Sequence, residues 1–587
     1  MLASCVKLAL VTGALGAFAV GDNGGDAATL IVRTHSLAGM VEPIGHLSGA
    51  LTLLPFRISP NQEAPFIAEP AAAPLFPEDL CTLVRESIRP EFWDETPGAR
   101  IDLIRNGLLI CATQPVQDEV ADLLANLTAL YGPAETLELR AFAATEEDVA
   151  RGAMPMDAAQ ADTLIAARGL QHSTSAALRG RAVVRGDSVD VSTVIYDYDT
   201  EIAQGTVAAD PIVATVETGL RLMARSVRVE GGLVVSLVAR VTDRAADDQV
   251  RRLDAKGMIN AKPVMVERSA AGLLEHPRLA FASFAGDLFL PTGKAVWLPV
   301  TVTTHLGPVS FCLDLRTVGV AGPAHVAGAA RNRGEAGSMR VDFWSGGAEL
   351  LPTIEQEPFN AMLFDPGWTI EGSAPIWAHL EAGGDDACAR LCDLATYAAG
   401  AAMESGIASV RTVGDYLRTD LPVADAERVA SLLAQNTRFE SALTVRGRFL
   451  RGEETIAAFR VPVVAGRPLS LWSGVEGTAI RRWDVDVANE AMAVSPAPEA
   501  WVDGFALGLT VSRNARAEFV VAARAKAAFL AGPPRPRELN DEARLVIDET
   551  SSSDLFVDEA RTIPALGGRV RFGGDLALEI TVEPASR

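Results

Sequence analysis

Two stretches far apart in this chain read as one. Leu80–Tyr131 and Leu350–Tyr397 each open with a helical pattern and reach an aromatic-acid turn, Trp93-Asp94 and Phe364-Asp365. Each continues with a strand start (Ile101, Ile370), a short apolar strand (Leu108–Ala112, Ile376–Leu380) and an amphipathic helix. In the first stretch that helix carries Val116, Val120, Leu123, Leu124 and Leu127 at helical spacing. Three further blocks match in the same order. Met154–Val194 matches Leu421–Val461, so that Arg179-Gly180-Arg181 answers Arg446-Gly447-Arg448. The segment beginning at Val194 matches Arg482–Ser512, placing Pro211 with Pro496 and Gly219 with Gly504, and Phe284–Val300 matches Val557–Leu576. A repeat of this length governs the architecture, because each copy has to solve the same packing problem. The expected fold class is therefore α+β, in two tandem copies of a small α/β domain followed by a β-rich domain. The small domains fall at 29–133 and 338–400, the β-rich domains at 134–320 and 401–587, with a linker at 321–337.

Residues 1–28 have a different character. Lys7 precedes an apolar run, Leu8–Val20, that is too short to span a bilayer as a helix. Ala17-Phe18-Ala19 has the form of a cleavage site and an acidic, Gly-rich stretch follows, so the segment is expected to be a signal peptide and leader. Leu2–Cys5 has the letters of a lipid-attachment box, but its apolar run follows the Cys instead of preceding it. Beyond the leader, Cys81, Cys111, Cys312, Cys388 and Cys392 are an odd and sparse set for a disulfide scaffold. A net charge of −23 argues against nucleic acid as a partner, since phosphate backbones need clustered cations.

Few residues invite chemistry. Asp197, Asp199 and Glu201 alternate along one stretch, and three readings compete: a solvated or intersubunit strand face, a weak cation site, or catalysis. The repeat favours the first, because Asp484 and Asp486 stand where Asp197 and Asp199 do but Ala488 replaces the third acid. Cys388 and Cys392 share a helix face, as metal ligands can, yet they align with the core positions Val120 and Leu124. No His pair has metalloprotease spacing, and no nucleophile elbow, phosphate loop or dinucleotide fingerprint occurs. Neither catalysis nor a cofactor is expected. The paired Arg residues of the two Arg-Gly-Arg strands are expected to form a solvated face or to meet acids on a neighbouring strand, with the Asp197–Glu201 strand as the candidate neighbour.

Trp93–Leu124 combines an aromatic-acid turn, a Gly, a strand, Leu108-Leu109-Ile110-Cys111-Ala112-Thr113 and a Val/Leu helix. It resembles the ring-building domains of bacterial secretins. The stretches Gly219–Arg225 and Gly231–Val241 resemble the opening of a secretin β-domain, and Gly573-Gly574 resembles the Gly-Gly strand near its end. The resemblance implies an exported protein of the periplasm or outer membrane, whose partners are copies of itself or other envelope proteins. It also implies membrane association through an oligomeric β-domain and a link to protein secretion. Two features depart from the family. The chain carries two β-domains where a secretin carries one, and no pair of long hairpins with a lipid-facing apolar band is evident. The other reading is a monomeric periplasmic or surface binding protein built on the same duplicated module. That reading requires each sheet edge to be protected within one chain.

Overall fold

The computed structural model describes residues 29–584 with breaks at 38–47, 50, 53–55, 58–65, 68–76, 105–106, 132–134, 153–154, 179–183, 204–205, 230, 246–248, 253–255, 260–261, 266–272, 320–324, 329, 333–336, 345–353, 357–376, 381–385, 414–415, 437–441, 489–490, 515 and 541–544. The leader, Arg179-Gly180-Arg181, Phe364-Asp365 and Ile370 lie outside the described residues.

The expected α+β architecture of tandem ring-building domains is not what the chain builds. The molecule is mostly antiparallel β-sheet, with eight helices among the described residues, the longest being Gln114–Tyr131. The reason is how the strands find partners. A sheet edge leaves backbone N–H and C=O groups to be satisfied, and each half satisfies an edge with strands of the other half.

Two large sheets result. The first runs Leu170–Leu178, Glu135–Phe142, Gly307–Val318, Lys294–Thr304, Glu454–Val464, Ala442–Arg451, Leu576–Pro584, Arg569–Gly573. The main run of the second is Val184–Ala203, Thr206–Val229, Gly232–Arg244, Leu279–Pro291, Pro468–Ala488, Ala491–Arg513, Phe519–Leu530, Ser552–Ile563; beside it, Phe56–Arg57 pairs with Thr206–Val229, and Lys256–Ile259, itself paired with Lys262–Met265, pairs with Ala491–Arg513. In both, the first four strands come from the first half and the last four from the second. The halves join at Val300↔Phe459 to Val302↔Ala457 in one sheet and at Leu279↔Glu476 to Gly286↔Leu469 in the other.

Period-two alternation makes this possible, because every second side chain points to one face. Leu220, Leu222 and Ala224, then Leu233, Val235 and Leu237, pack with Val300, Val302, Phe311 and Leu313 in one buried cluster. Phe459, Phe505, Leu507, Leu578 and Ile580 of the second half belong to the same cluster. Burial of a large apolar side chain is worth about 1.5–3 kcal/mol, so this shared core ties the halves together.

Helices sit at the periphery. Ala158–Arg168 covers the outer face of the first sheet, over Phe142, Ala295, Trp297 and Cys312. Asp162 on that helix accepts from Arg140 at 2.5 Å and Arg316 at 2.7 Å, which hold its carboxyl below the ordinary range, the Arg140 bond most of all. Beneath it, Asp314 is fully buried and accepts from Trp297 Nε1 at 2.7 Å and Arg140 Nε at 2.8 Å.

Near the N-terminus, Ile31–Ser36, Gly107–Ala112 and Arg100–Ile104 form a small sheet beneath the helices Pro77–Ser87 and Gln114–Tyr131. Val116, Val120, Leu123, Leu124 and Leu127 are all buried there. Phe343 of the strand Ser338–Trp344 enters the same core, and Arg331 pairs with Glu119 at 3.2 Å and Asp122 at 2.8 Å. Ser338–Trp344 belongs to a second small sheet with Tyr416–Pro422 and Ser409–Val413, covered by the helices Asp386–Ala399 and Val423–Asn436. Cys392 is half-buried on the first of these helices, and the Cys388 side chain lies outside the described residues.

Candidate functional site

The most distinctive parts of the molecule are two long hairpins, Val184–Ala203 with Thr206–Val229 and Pro468–Ala488 with Ala491–Arg513. The sequence gives no sign of them because each turn is short and the strands merge with their neighbours. Each hairpin is interrupted once, between Ile195 and Asp197 in the first and between Ile480 and Arg482 in the second. Such a bulge bends the strand and leaves one residue out of the ladder. In both, the residue before the bulge donates its N–H to a carboxylate from a short flanking two-stranded sheet: Ile195 to Glu275 at 3.2 Å, Ile480 to Asp548 at 2.9 Å. Both carboxylates were missed in the sequence. The available signal was their shared position, nine residues before the matched Phe284 and Val557.

Beyond the bulges the hairpins pack on each other. Tyr198 and Ile480 are buried with Leu274, and Ile195 and Trp483 pack against them. Tyr198 lies opposite Pro211, and Trp483 opposite Pro496. Counted from the prolines, Asp484 takes the place of Asp199, not of Asp197 as the sequence alignment had it. Gly219 and Gly504 occupy matched places as well. A Cβ on either would lie 2.1 or 2.2 Å from a carbonyl oxygen of the facing strand, that of Ser188 or Ser473.

The three candidate acids are distributed along this hairpin. Asp197 accepts the N–H of Tyr198 at 2.7 Å, so it serves the backbone beside the bulge. Asp199 and Glu201 stand opposite Asp210 and Ala208, and their side chains lie outside the described residues. Among the described residues, no group of three His, Cys, Asp or Glu side chains is placed to hold a metal ion.

Arg446 and Arg448 do meet acids on a neighbouring strand, but the neighbour is Leu576–Pro584 and not the acidic hairpin, which lies in the other sheet. Arg448 bonds Glu579, and Arg446 lies 3.9 Å from Glu583, which also takes Arg460 at 2.6 Å. Burial pushes the Glu579 carboxyl up, but Arg448 and Arg569 outweigh it and leave the group below its ordinary value. Gly447 between the two arginines is required by packing: a Cβ there would fall 1.9 Å from the Phe459 ring. Gly573 and Gly574 form the turn into the strand Leu576–Pro584.

A cleft between the two small units, lined by Glu119, Arg331, Arg418 and Asp420, encloses about 30 Å³, room for a water or two. Cys312 is fully buried, and that burial pushes its thiol well above its usual value, away from the reactive thiolate form. No described helix is long and apolar enough to cross a membrane.

The edges of the two sheets are open. Among the described residues, no strand pairs with the outer sides of Leu170–Leu178 and Val184–Ala203 at one end, or of Ser552–Ile563 and Arg569–Gly573 at the other. An unpaired strand edge leaves a row of backbone N–H and C=O groups without ladder partners.

No protein-family model and no curated protein matches this chain. Among solved structures, the InvG secretin domain β-barrel of the Salmonella SPI-1 injectisome is 11% identical, over 50% of this chain and 89% of its own, with a TM-score of 0.21. A second structure of the Salmonella SPI-1 secretin InvG is 11% identical over 50% and 88%, with a TM-score of 0.18. GspD in the ETEC pilotin–secretin complex AspS–GspD is 8% identical over 86% and 85%, with a TM-score of 0.11. At these scores the likenesses carry no argument about fold or function.

Proposed function

We propose that this chain is an exported, secretin-like structural protein of a bacterial envelope, linked to secretion and acting by self-association and not by catalysis. We read its two halves as copies of one module. The observation that carries the proposal is the pair of open edges at each end of the double sheet. Within the chain, the end of one half joins the beginning of the next in both sheets. The edges left over are again an end and a beginning. Eight antiparallel strands lie between Val184–Ala203 and Ser552–Ile563 inclusive, so the last runs opposite to the first. A second copy added in the same orientation then meets the first antiparallel, the more stable pairing. Head-to-tail contacts of this kind close into rings when the rotation allows.

The alternative, a monomeric periplasmic or surface binding protein, draws support from the same junction, because the halves already protect one edge each within the chain. Light scattering of the leader-free protein, with and without detergent, separates the two. The proposal expects defined multimers, recovered with the outer-membrane fraction of the envelope. A strict monomer in the soluble fraction at every concentration would rule it out and leave the binding protein.

A further inference from the structure

We infer that the strand junction between the two halves is repeated, residue for residue, between neighbouring copies of the chain; this rests on the self-association reading above. Inside the chain, Leu279–Pro291 ends the first half's share of the second sheet and Pro468–Ala488 begins the second half's share. They pair over eight positions, from Leu279↔Glu476 to Gly286↔Leu469. Ser552–Ile563 and Val184–Ala203 are the corresponding last and first strands, and both lie at open edges.

The bulges supply the count. Leu279 follows the bulge carboxylate Glu275 by four residues, and Ser552 follows Asp548 by four. Glu476 precedes Ile480, the residue before the bulge, by four, and Val191 precedes Ile195 by four. The internal register therefore carries over as Ser552 of one copy opposite Val191 of the next, running to Glu559 opposite Val184. On the outer face this sets Asp554 beside Val189, Phe556 beside Asp187, and Asp558 beside Arg185.

The side chains suit that register. Asp558 meets an opposite charge directly across the junction, where like charges would destabilise it. At present Arg185 bonds Asp187 at 2.5 Å and Asp558 lies 3.5 Å from Arg524. The junction would join those two pairs into one alternating row. Two exposed apolar side chains mark the same edges: Val191 is 60% exposed and Phe556 62%. In the carried-over register Phe556 lies diagonal to Val189, within reach of a ring. A register two residues away that placed Asp558 opposite Asp187 would set acid against acid.

The test uses the full chain. Ser552→Cys and Val191→Cys are combined, oxidised, and compared with each single variant and the parent, which controls for the native cysteines. A ladder of covalent multimers from the combined variant alone is expected. In parallel, Arg185→Asp and Asp558→Arg are each expected to raise the concentration for half-assembly about fivefold, and the double exchange to restore it. Multimers that form without a ladder and ignore the charge exchange would overturn this register and leave self-association standing. A parent chain that stays monomeric would overturn both.

Discussion

Replacing Asp314 by Ala should cost about 2–5 kcal/mol. The side chain is fully buried and accepts the indole N–H of Trp297, itself fully buried, at 2.7 Å. Leaving that N–H short of its acceptor accounts for about 1–3 kcal/mol. Arg140 loses a partner at 2.6 Å but keeps Asp162 at 2.5 Å. Its share is therefore about 1–2 kcal/mol, less than the 3–5 of a buried pair broken outright. Asp314→Asn keeps an acceptor for Trp297 and should lose only that second part. The pH dependence has a definite sign. Burial pushes the Asp314 carboxyl above its ordinary value, against the pull of Arg140 and the Trp297 N–H. Just above about pH 3.9 the unfolded chain releases this proton and the folded chain retains it. Wild-type stability therefore falls as pH rises through that interval and levels off above the folded pKa. The Ala variant lacks this slope, so its deficit should be larger near about pH 3.5 than near about pH 7. Urea midpoints read by Trp fluorescence at the two pH values, with amide exchange along Gly307–Val318, measure both effects. A deficit under about 1 kcal/mol, or one that grows with pH, would refute the reasoning.

The two residue types of the second Arg-Gly-Arg strand should behave oppositely. Gly447→Ala drives a methyl into the Phe459 ring, which packs against Phe505 with centroids 6.0 Å apart, and should cost about 2–3 kcal/mol. Arg446→Ala removes a part-exposed side chain 3.9 Å from Glu583 and should cost under about 0.5 kcal/mol by the same denaturation midpoint. Glu579 sets part of the acid limb. Its folded pKa lies below the ordinary 4.5, so its stabilisation is present above that value and is lost as pH falls through the folded pKa. Glu579→Gln should lower the thermal midpoint at neutral pH and flatten its decline in acid, and an unchanged acid limb would count against the Arg448 and Arg569 contacts.

Local pattern was legible in the sequence where it was strong. The helix with Val116, Val120 and Leu124 buries those residues, whereas Arg446 and Arg448, for which a solvated face stood open beside an acidic neighbour, meet acids on Leu576–Pro584 and not on the Asp197–Glu201 strand. What failed was the weighing of local against long-range pairing. Helical segments such as Asp386–Ala399 stand out in a sequence, whereas the contact between Leu279–Pro291 and Pro468–Ala488 joins residues nearly 200 positions apart and leaves no local trace. Once that junction forms, the β-rich halves share one core and the helices become trim. The hairpins escaped notice for a related reason. Their strands run to 20 residues or more and cross from a buried core into the region beyond the bulge, so no single alternation runs their length. The acids Asp197, Asp199 and Glu201 were conspicuous by spacing alone. Glu275 and Asp548, which are built into the bulges, had no motif to announce them.

The central claim is that the two halves are one body, joined strand to strand. Thr303 and Thr455 are exposed residues on the two strands that meet in the first sheet, one from each half, beside the pair Val302↔Ala457. Neighbouring strands lie about 4.8 Å apart, so nitroxide labels at these two positions should show strong dipolar broadening in the full chain, which either label alone would lack. Sharp, uncoupled spectra from the doubly labelled protein would mean that the halves follow one another as separate domains, and the account would fall with them.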